Sequence, residues 1–122
     1  MDDEHPGYIV DYLQQQNIEV RLIRAYEGDR IPCVDETFAG LVFMGGIMSV
    51  NDGLPWLDEE IELIKLAATK RIPLLGHCLG GQMIAKALGG RITLNPSMEI
   101  GWHACSREDD LAAKDWLGDI SD

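Results

Sequence analysis

The sequence predicts an α/β domain built on a parallel sheet with helices on its faces. Apolar runs of strand length alternate with segments of helical periodicity, and right-handed crossovers are the only common way to connect such an order. Phe38-Ala39-Gly40-Leu41-Val42-Phe43-Met44 is continuously apolar and ends in Gly45-Gly46, the pattern of a strand buried on both faces that runs into a tight turn. Ile72 to Leu75 repeats this on a smaller scale before Gly76-His77-Cys78-Leu79-Gly80-Gly81-Gln82, where a cysteine stands between glycines at a strand-to-helix junction.

Taken in order, Tyr8, Ile9, Tyr12 and Leu13 fall at helical spacing, with Asn17 placed to end a short amphipathic helix. Ile18, Val20 and Leu22 alternate with Glu19 and Arg21, which reads as a half-buried strand over 18–23. Residues 24–37 are a polar connector containing Gly28 and Pro32. Pro55 suits the first turn of a helix whose acidic residues 58 to 60 lie at its positive end. Leu57, Ile61, Ile64 and Ala68 give that helix one buried stripe, and Lys65, Lys70 and Arg71 occupy its far end before Pro73 forbids continuation. Gln82 to Leu88 reads as a second such helix, with Met83, Ile84, Ala87 and Leu88 inward and Gly89-Gly90 ending it. Arg91 to Leu94 and Glu99 to Cys105 read as short strands around the turn residues Asn95-Pro96-Ser97, and Ser106 to Asp122 as a polar segment.

The chain of 122 residues is 46% apolar, enough for one small domain with a core. Ten basic against 21 acidic residues give a net charge of −11, which opposes nonspecific binding to nucleic acid and to anionic membrane surfaces. No apolar stretch approaches the roughly 18 residues a membrane span needs, and Asp2-Asp3-Glu4 stand where a signal peptide would be basic, so a soluble cytoplasmic protein is expected. Cys33, Cys78 and Cys105 are odd in number and without CxxC spacing, which fits reduced thiols better than a disulfide framework or a zinc site. Neither a metal nor a cofactor is expected. Cys33 and Cys105 read as small hydrophobes.

Cys78 is the candidate nucleophile. Gly76 and Gly80 are small enough to let a side chain stand out from a sharp turn, and the Leu79 N–H at the start of the following helix favours both a thiolate and a developing oxyanion. Gly45-Gly46 offers a second backbone N–H, because glycine lets main chain approach a substrate closely. Gln82 lies one helical turn from Cys78, where its amide could hydrogen-bond a polar substrate group. A thiol of ordinary pKa needs a histidine or another cation to ionise it. His77 should face away from its neighbour on an extended strand, nothing aims His103 at the thiol, and His5 sits in an acidic start.

The heptad Gly76 to Gln82 resembles the nucleophile motif of class I, triad-type glutamine amidotransferases. Further blocks match in order: His5-Pro6-Gly7-Tyr8 resembles the loop after the family's first strand, and Phe43-Met44-Gly45-Gly46 resembles its oxyanion strand and loop. Val50-Asn51-Asp52 with Pro55-Trp56-Leu57, Ala87-Leu88-Gly89-Gly90, and Glu99-Ile100-Gly101-Trp102 resemble later segments. The set is most similar to stand-alone amidotransferases related to the glutaminase domain of guanosine monophosphate synthase, over residues 5 to 103. The resemblance implies a flavodoxin-like doubly wound sheet. It further implies that Cys78 attacks the side-chain amide of glutamine and that ammonia leaves from a γ-glutamyl thioester, which water then hydrolyses to glutamate. Gly46 and Leu79 would hold the oxyanion through backbone N–H groups, Gly45 and Gln82 would contact the substrate, and a synthase domain or subunit would accept the ammonia.

The family's base, a histidine with a glutamate two residues on, lies past the last matched block, and no His-x-Glu follows Cys78 in these 122 residues. The family's opening strand is also missing. Residues 1–122 therefore read as a single partial domain, lacking the first strand and the C-terminal strands, of a fragment or truncated gene product. Beside a glutamine amidotransferase stand a catalytically inactive module that binds glutamine or a partner, a related γ-glutamyl peptide hydrolase, and a core thiol without chemistry. A sheet short of a strand leaves unpaired edges, so marginal stability, aggregation or a homodimer is expected.

Overall fold

The computed structural model describes residues 5–33, 38–106 and 108–118. Helix α1 spans Tyr8–Gln15, a single 3-10 turn follows at Ala25–Glu27, and the first strand, β1, covers Leu41–Phe43. Helix α2 (Pro55–Thr69) leads to strand β2 (Leu74–Gly76), then helix α3 (Leu79–Ala87) and a last helix, α4 (Leu111–Leu117). β1 and β2 pair in parallel, with Leu41 opposite Leu74, Val42 opposite Leu75 and Phe43 opposite Gly76, and α2 makes the crossover between them. The described part is thus an α/β βαβ unit continued by α3, as the alternation predicts, with α1 before it and α4 after it, and its sheet has two strands among the described residues.

Helices end where local chemistry stops them. In α1 the Asn17 and Ile18 N–H groups donate back to the Gln14 and Leu13 carbonyls, in α2 Arg71 and Ile72 to Ala68 and Ala67, and in α3 Gly89 and Gly90 to Lys86 and Ala85. Each pair is a Schellman closure with a left-handed residue at its centre, at φ 57°, 57° and 91° for Asn17, Arg71 and Gly89. Pro55 opens α2 within its first turn, where its missing N–H costs nothing.

The core is one cluster, Phe43, Val50, Leu57, Ile61, Leu63, Ile64, Leu79 and Met83, formed where α2 and α3 pack on each other and on the strands. Leu57, Ile61 and Ile64 are the buried stripe the spacing predicts, with Leu63 and Ala67 added to it and Ala68 only half-buried. Met83 is buried and Ile84 and Ala87 pack against the cluster, whereas Leu88, expected inward, is exposed beyond the last full turn of α3. α3 also starts earlier than its periodicity indicates, at Leu79, because the glycines at 80 and 81 are absorbed into its first turn.

The largest departures concern strands. Residues 18–23, 91–94 and 99–105 form no ladder, although their alternation or apolar content suits one. A strand exists only where a neighbour supplies hydrogen bonds, and none pairs with them among the described residues. Beside 18–24 lies a cavity of about 1070 Å³, whose other walls come from 38–45, from Ile9, Val10 and Leu13 of α1, and from Trp56, Glu60 and Leu63 of α2. Val42, on its wall, is 39% exposed while Phe43 is buried, so β1 is covered on one face only among the described residues, contrary to the expectation of burial on both. The polar segment expected after Ser106 contains α4, started by Asp110, whose carboxylate accepts the Ala113 N–H at 2.6 Å. Cys33 and Cys105, expected as small hydrophobes, are both exposed. Among the described residues no helix is long and apolar enough to cross a membrane.

Candidate functional site

The end of β2 and the start of α3 form a turn with almost no spare volume. Cys78 occupies the N-cap of α3 at φ 54°, ψ −111°, a region that costs a non-glycine residue on the order of 1–3 kcal/mol. The neighbouring glycines allow it. A Cβ on Gly76 would lie 2.5 Å from the Gly80 carbonyl carbon, and one on Gly80 would lie 2.6 Å from the carbonyl carbon of Phe43. The strained turn leaves the thiol exposed while Leu79, the next residue, is buried to 2% exposure and anchors the helix in the core.

Backbone hydrogen bonds bring the Gly45-Gly46 loop to this turn. The His77 N–H donates to the Phe43 carbonyl at 2.9 Å and the Gly80 N–H to the Met44 carbonyl at 3.1 Å, so the last sheet contact continues directly into the elbow. Leu79 is the first residue of α3, where an N–H has no intrahelical acceptor. Among the described residues neither its N–H nor that of Gly46 donates to any protein group. Two backbone donors are therefore unspent, one directly after Cys78 and one two residues after Met44, whose carbonyl the Gly80 N–H holds. Gln82 is half-buried one turn along α3, its own N–H donating to the Cys78 carbonyl at 3.2 Å.

The sequence-nominated residues 45, 46, 76, 78, 79, 80 and 82 are thus gathered at one end of the parallel pair. Among the described residues no histidine side chain hydrogen-bonds any of them. The His5 imidazole accepts the Gly7 N–H at 3.0 Å, His103 is exposed in the extended segment after α3, and His77 is exposed beside Cys78. Among the described residues no side chain hydrogen-bonds the Cys78 thiol and no group of three or more His, Cys, Asp or Glu could hold a metal. The large cavity beside β1 is separate: Gly45 and Leu79 reach its wall, but Cys78, Gly46 and Gln82 do not line it.

Two polar residues that tie α3 to the segment after the Gly45-Gly46 loop were not nominated from the sequence as functional. Lys86 of α3 donates to the Val50 carbonyl at 2.8 Å and to Asn51 Oδ1 at 3.3 Å, and Asn51 Nδ2 donates to the Ile92 carbonyl at 3.1 Å. The available signal was a lysine seven residues after Leu79 and three after Met83, on the helix face that those two residues bury.

A parallel βαβ unit whose second strand leads, two residues on, to a strained, exposed cysteine at a helix N-cap defines a protein of the cysteine-elbow α/β class. Residues 5–115 match the model of the class-I glutamine amidotransferase family. The chain is 32% identical over 103 residues to the glutamine amidotransferase-like protein YfeJ of Salmonella typhimurium, covering 80% of this chain and 43% of that one. It is 38% identical over 63 residues to the glutamine-hydrolysing GMP synthase of Clostridium perfringens, covering 51% of this chain and 11% of the synthase. Among solved structures, a glutamine amidotransferase from Methylobacillus flagellatus superposes with a TM-score of 0.91 at 41% identity, over 97% of this chain and 47% of that one. One from Thermotoga maritima gives 0.66 at 32% identity, over 73% and 40%. The chain belongs to the class-I glutamine amidotransferase family. It spans less than half the length of the relatives it matches over most of its own length.

Proposed function

We propose that this chain carries the nucleophile and oxyanion elements of a glutaminase site. The observation that supports the reading best is the elbow, where Cys78 is held exposed at positive φ between two glycines that have no room for a Cβ. In this mechanism the Cys78 thiolate adds to the side-chain amide carbon of glutamine, and the carbonyl oxygen takes up negative charge facing the Gly46 and Leu79 N–H groups. Collapse of the adduct breaks the C–N bond, and the nitrogen leaves as ammonia with a proton delivered to it, giving a γ-glutamyl thioester. Water then adds to the same carbon, the S–C bond breaks, and glutamate leaves while the thiolate is restored. Gly45 and Gln82 contact the glutamine, and the ammonia passes to an acceptor on a partner domain or subunit of the kind that the name GMP synthase implies for that relative.

Ammonia release from glutamine, measured on the intact protein and on Cys78→Ser, tests this: release is lost in the variant. Activity that survives the substitution overturns the assignment. A second reading is a module that binds glutamine without turnover, favoured by the absence, among the described residues, of any hydrogen bond to the Cys78 thiol. Calorimetric heat of glutamine binding in the wild type with no ammonia release separates it from the first. Release of an amine from γ-glutamyl peptides faster than ammonia from glutamine identifies a peptide hydrolase instead.

A further inference from the structure

Lys86 is out of place by composition. Its helix face carries Leu79 and Met83, each 2% exposed, so its methylene stem lies along the core and its ammonium must find acceptors at the core's edge. It finds backbone and amide oxygens, Val50 O at 2.8 Å and Asn51 Oδ1 at 3.3 Å, and no carboxylate among the described residues. Val50 is itself 2% exposed. The turn around it is braced: the Asp52 carboxylate accepts the Ser49 N–H at 2.8 Å, the Ser49 carbonyl accepts the Asp52 N–H at 3.1 Å, and Ser49 Oγ accepts the Asn51 N–H at 3.2 Å.

The loop containing Gly45 and Gly46 runs between Met44 and this braced turn. Its near end is tied to the first turn of α3 through Gly80 N–H and Met44 O at 3.1 Å, and its far end to the last turn through Lys86. The two ties are six residues apart on one helix, roughly 9 Å along its axis. That same helix carries Cys78 at its N-cap and the free Leu79 N–H.

We infer that Lys86 is a positioning residue for the oxyanion loop: by holding the Val50 carbonyl it keeps the Gly46 N–H in register with Cys78 and Leu79. The catalytic meaning of this register rests on the glutaminase reading above; the mechanical tie does not. A charge-assisted bond from a half-buried ammonium to a carbonyl is among the stronger hydrogen bonds, and without it the loop is held at one end only.

The test is amide hydrogen exchange on the full chain, comparing wild type with Lys86→Met, which keeps the stem and removes the ammonium, and with Lys86→Arg, which keeps a donor. Exchange at the hydrogen-bonded amides of Ser49, Asn51 and Asp52 rises at least tenfold in Lys86→Met, exchange at 61–67 in α2 stays within twofold, and Lys86→Arg restores most of the loop protection. Where ammonia release is measurable, Lys86→Met lowers kcat about tenfold with KM within twofold. Alkylation of Cys78 by iodoacetamide, a displacement that builds no oxyanion, keeps its rate. Unchanged loop exchange overturns the inference, as does an equal rise in α2, which would make Lys86 a general stabiliser. A wild type without glutaminase activity fails the glutaminase reading and leaves the exchange result to decide Lys86.

Discussion

Gly80 lies against Phe43 so closely that a Cβ built on it would stand 2.6 Å from the Phe43 carbonyl carbon and 2.7 Å from the Phe43 Cβ. The start of α3 and the end of β1 are therefore in backbone contact, and both main chains are held there by hydrogen bonds, from Gly80 N–H to Met44 O and from His77 N–H to Phe43 O. Neither can retreat without breaking the elbow. Gly80→Ala is expected to destabilise the fold by about 3 kcal/mol, visible as a lower urea midpoint at unchanged m. A midpoint equal to that of wild type would mean that the helix start can shift.

Glu60 of α2 faces the cavity beside β1, and desolvation by burial raises its pKa from 4.5 to about 7. Below pH 4.5 the carboxyl is protonated in both folded and unfolded chains and contributes no difference. Between pH 4.5 and 7 the unfolded chain gives up this proton while the folded one keeps it, so stability falls as pH rises, and above pH 7 the full penalty of an ionised, desolvated carboxylate applies. Glu60→Gln removes the penalty. It should match wild type near pH 4 and exceed it near pH 8 by up to about 3 kcal/mol, read from chemical denaturation at the two values. A gain at pH 4 equal to that at pH 8 would show that the effect is not titration of this carboxyl.

Ile64 has no exposed surface and sits in the cluster that joins α2 to α3 and the strands. Ile64→Ala leaves a hole that close-packed neighbours fill only partly, at a cost of about 3 kcal/mol. Leu66, two residues on, is 53% exposed, and Leu66→Ala should cost under about 1 kcal/mol. Thermal melts of the pair test the assignment of inner and outer faces; equal losses would contradict it.

Leu94, Met98, Ile100 and Trp102 are 79% exposed or more, in a segment with strand-like content and no strand partner among the described residues. Together with the edge of β1 that has no partner among the described residues, they predict self-association that grows with concentration. Sedimentation of Ile100→Lys/Trp102→Lys should shift toward the monomer. Association unchanged by the double substitution would move the contact to another surface.

Features whose cause is local were legible in the residues. Pro55 and the acidic turn after it start α2, Asn17 and Gly89 end α1 and α3, and Gly76 and Gly80 announce the elbow because a Cβ at either position meets main chain. The family resemblance was equally readable, since the blocks from His5-Pro6-Gly7 to Glu99-Ile100-Gly101-Trp102 lie within the 5–115 match. Asp110 also carried a local signal, an N-cap before an apolar run, which a polar surrounding segment masked.

By itself, then, the sequence determined α1, α2 and the body of α3, the sharp cysteine turn and the membership of a family, because each depends on residues within a turn or two of one another. Tertiary structure decided which apolar runs became strands. Segment 18–23 alternates well, yet a strand needs a hydrogen-bonding neighbour that alternation cannot supply, whereas 41–43 and 74–76 have each other. It likewise decided that Val42 is open on one side, that Glu60 is buried enough to hold its proton to about pH 7, and that Lys86 reaches across 36 residues to Val50. Those outcomes depend on what packs alongside, and contacts between distant residues are set by the way the sheet and helices close together.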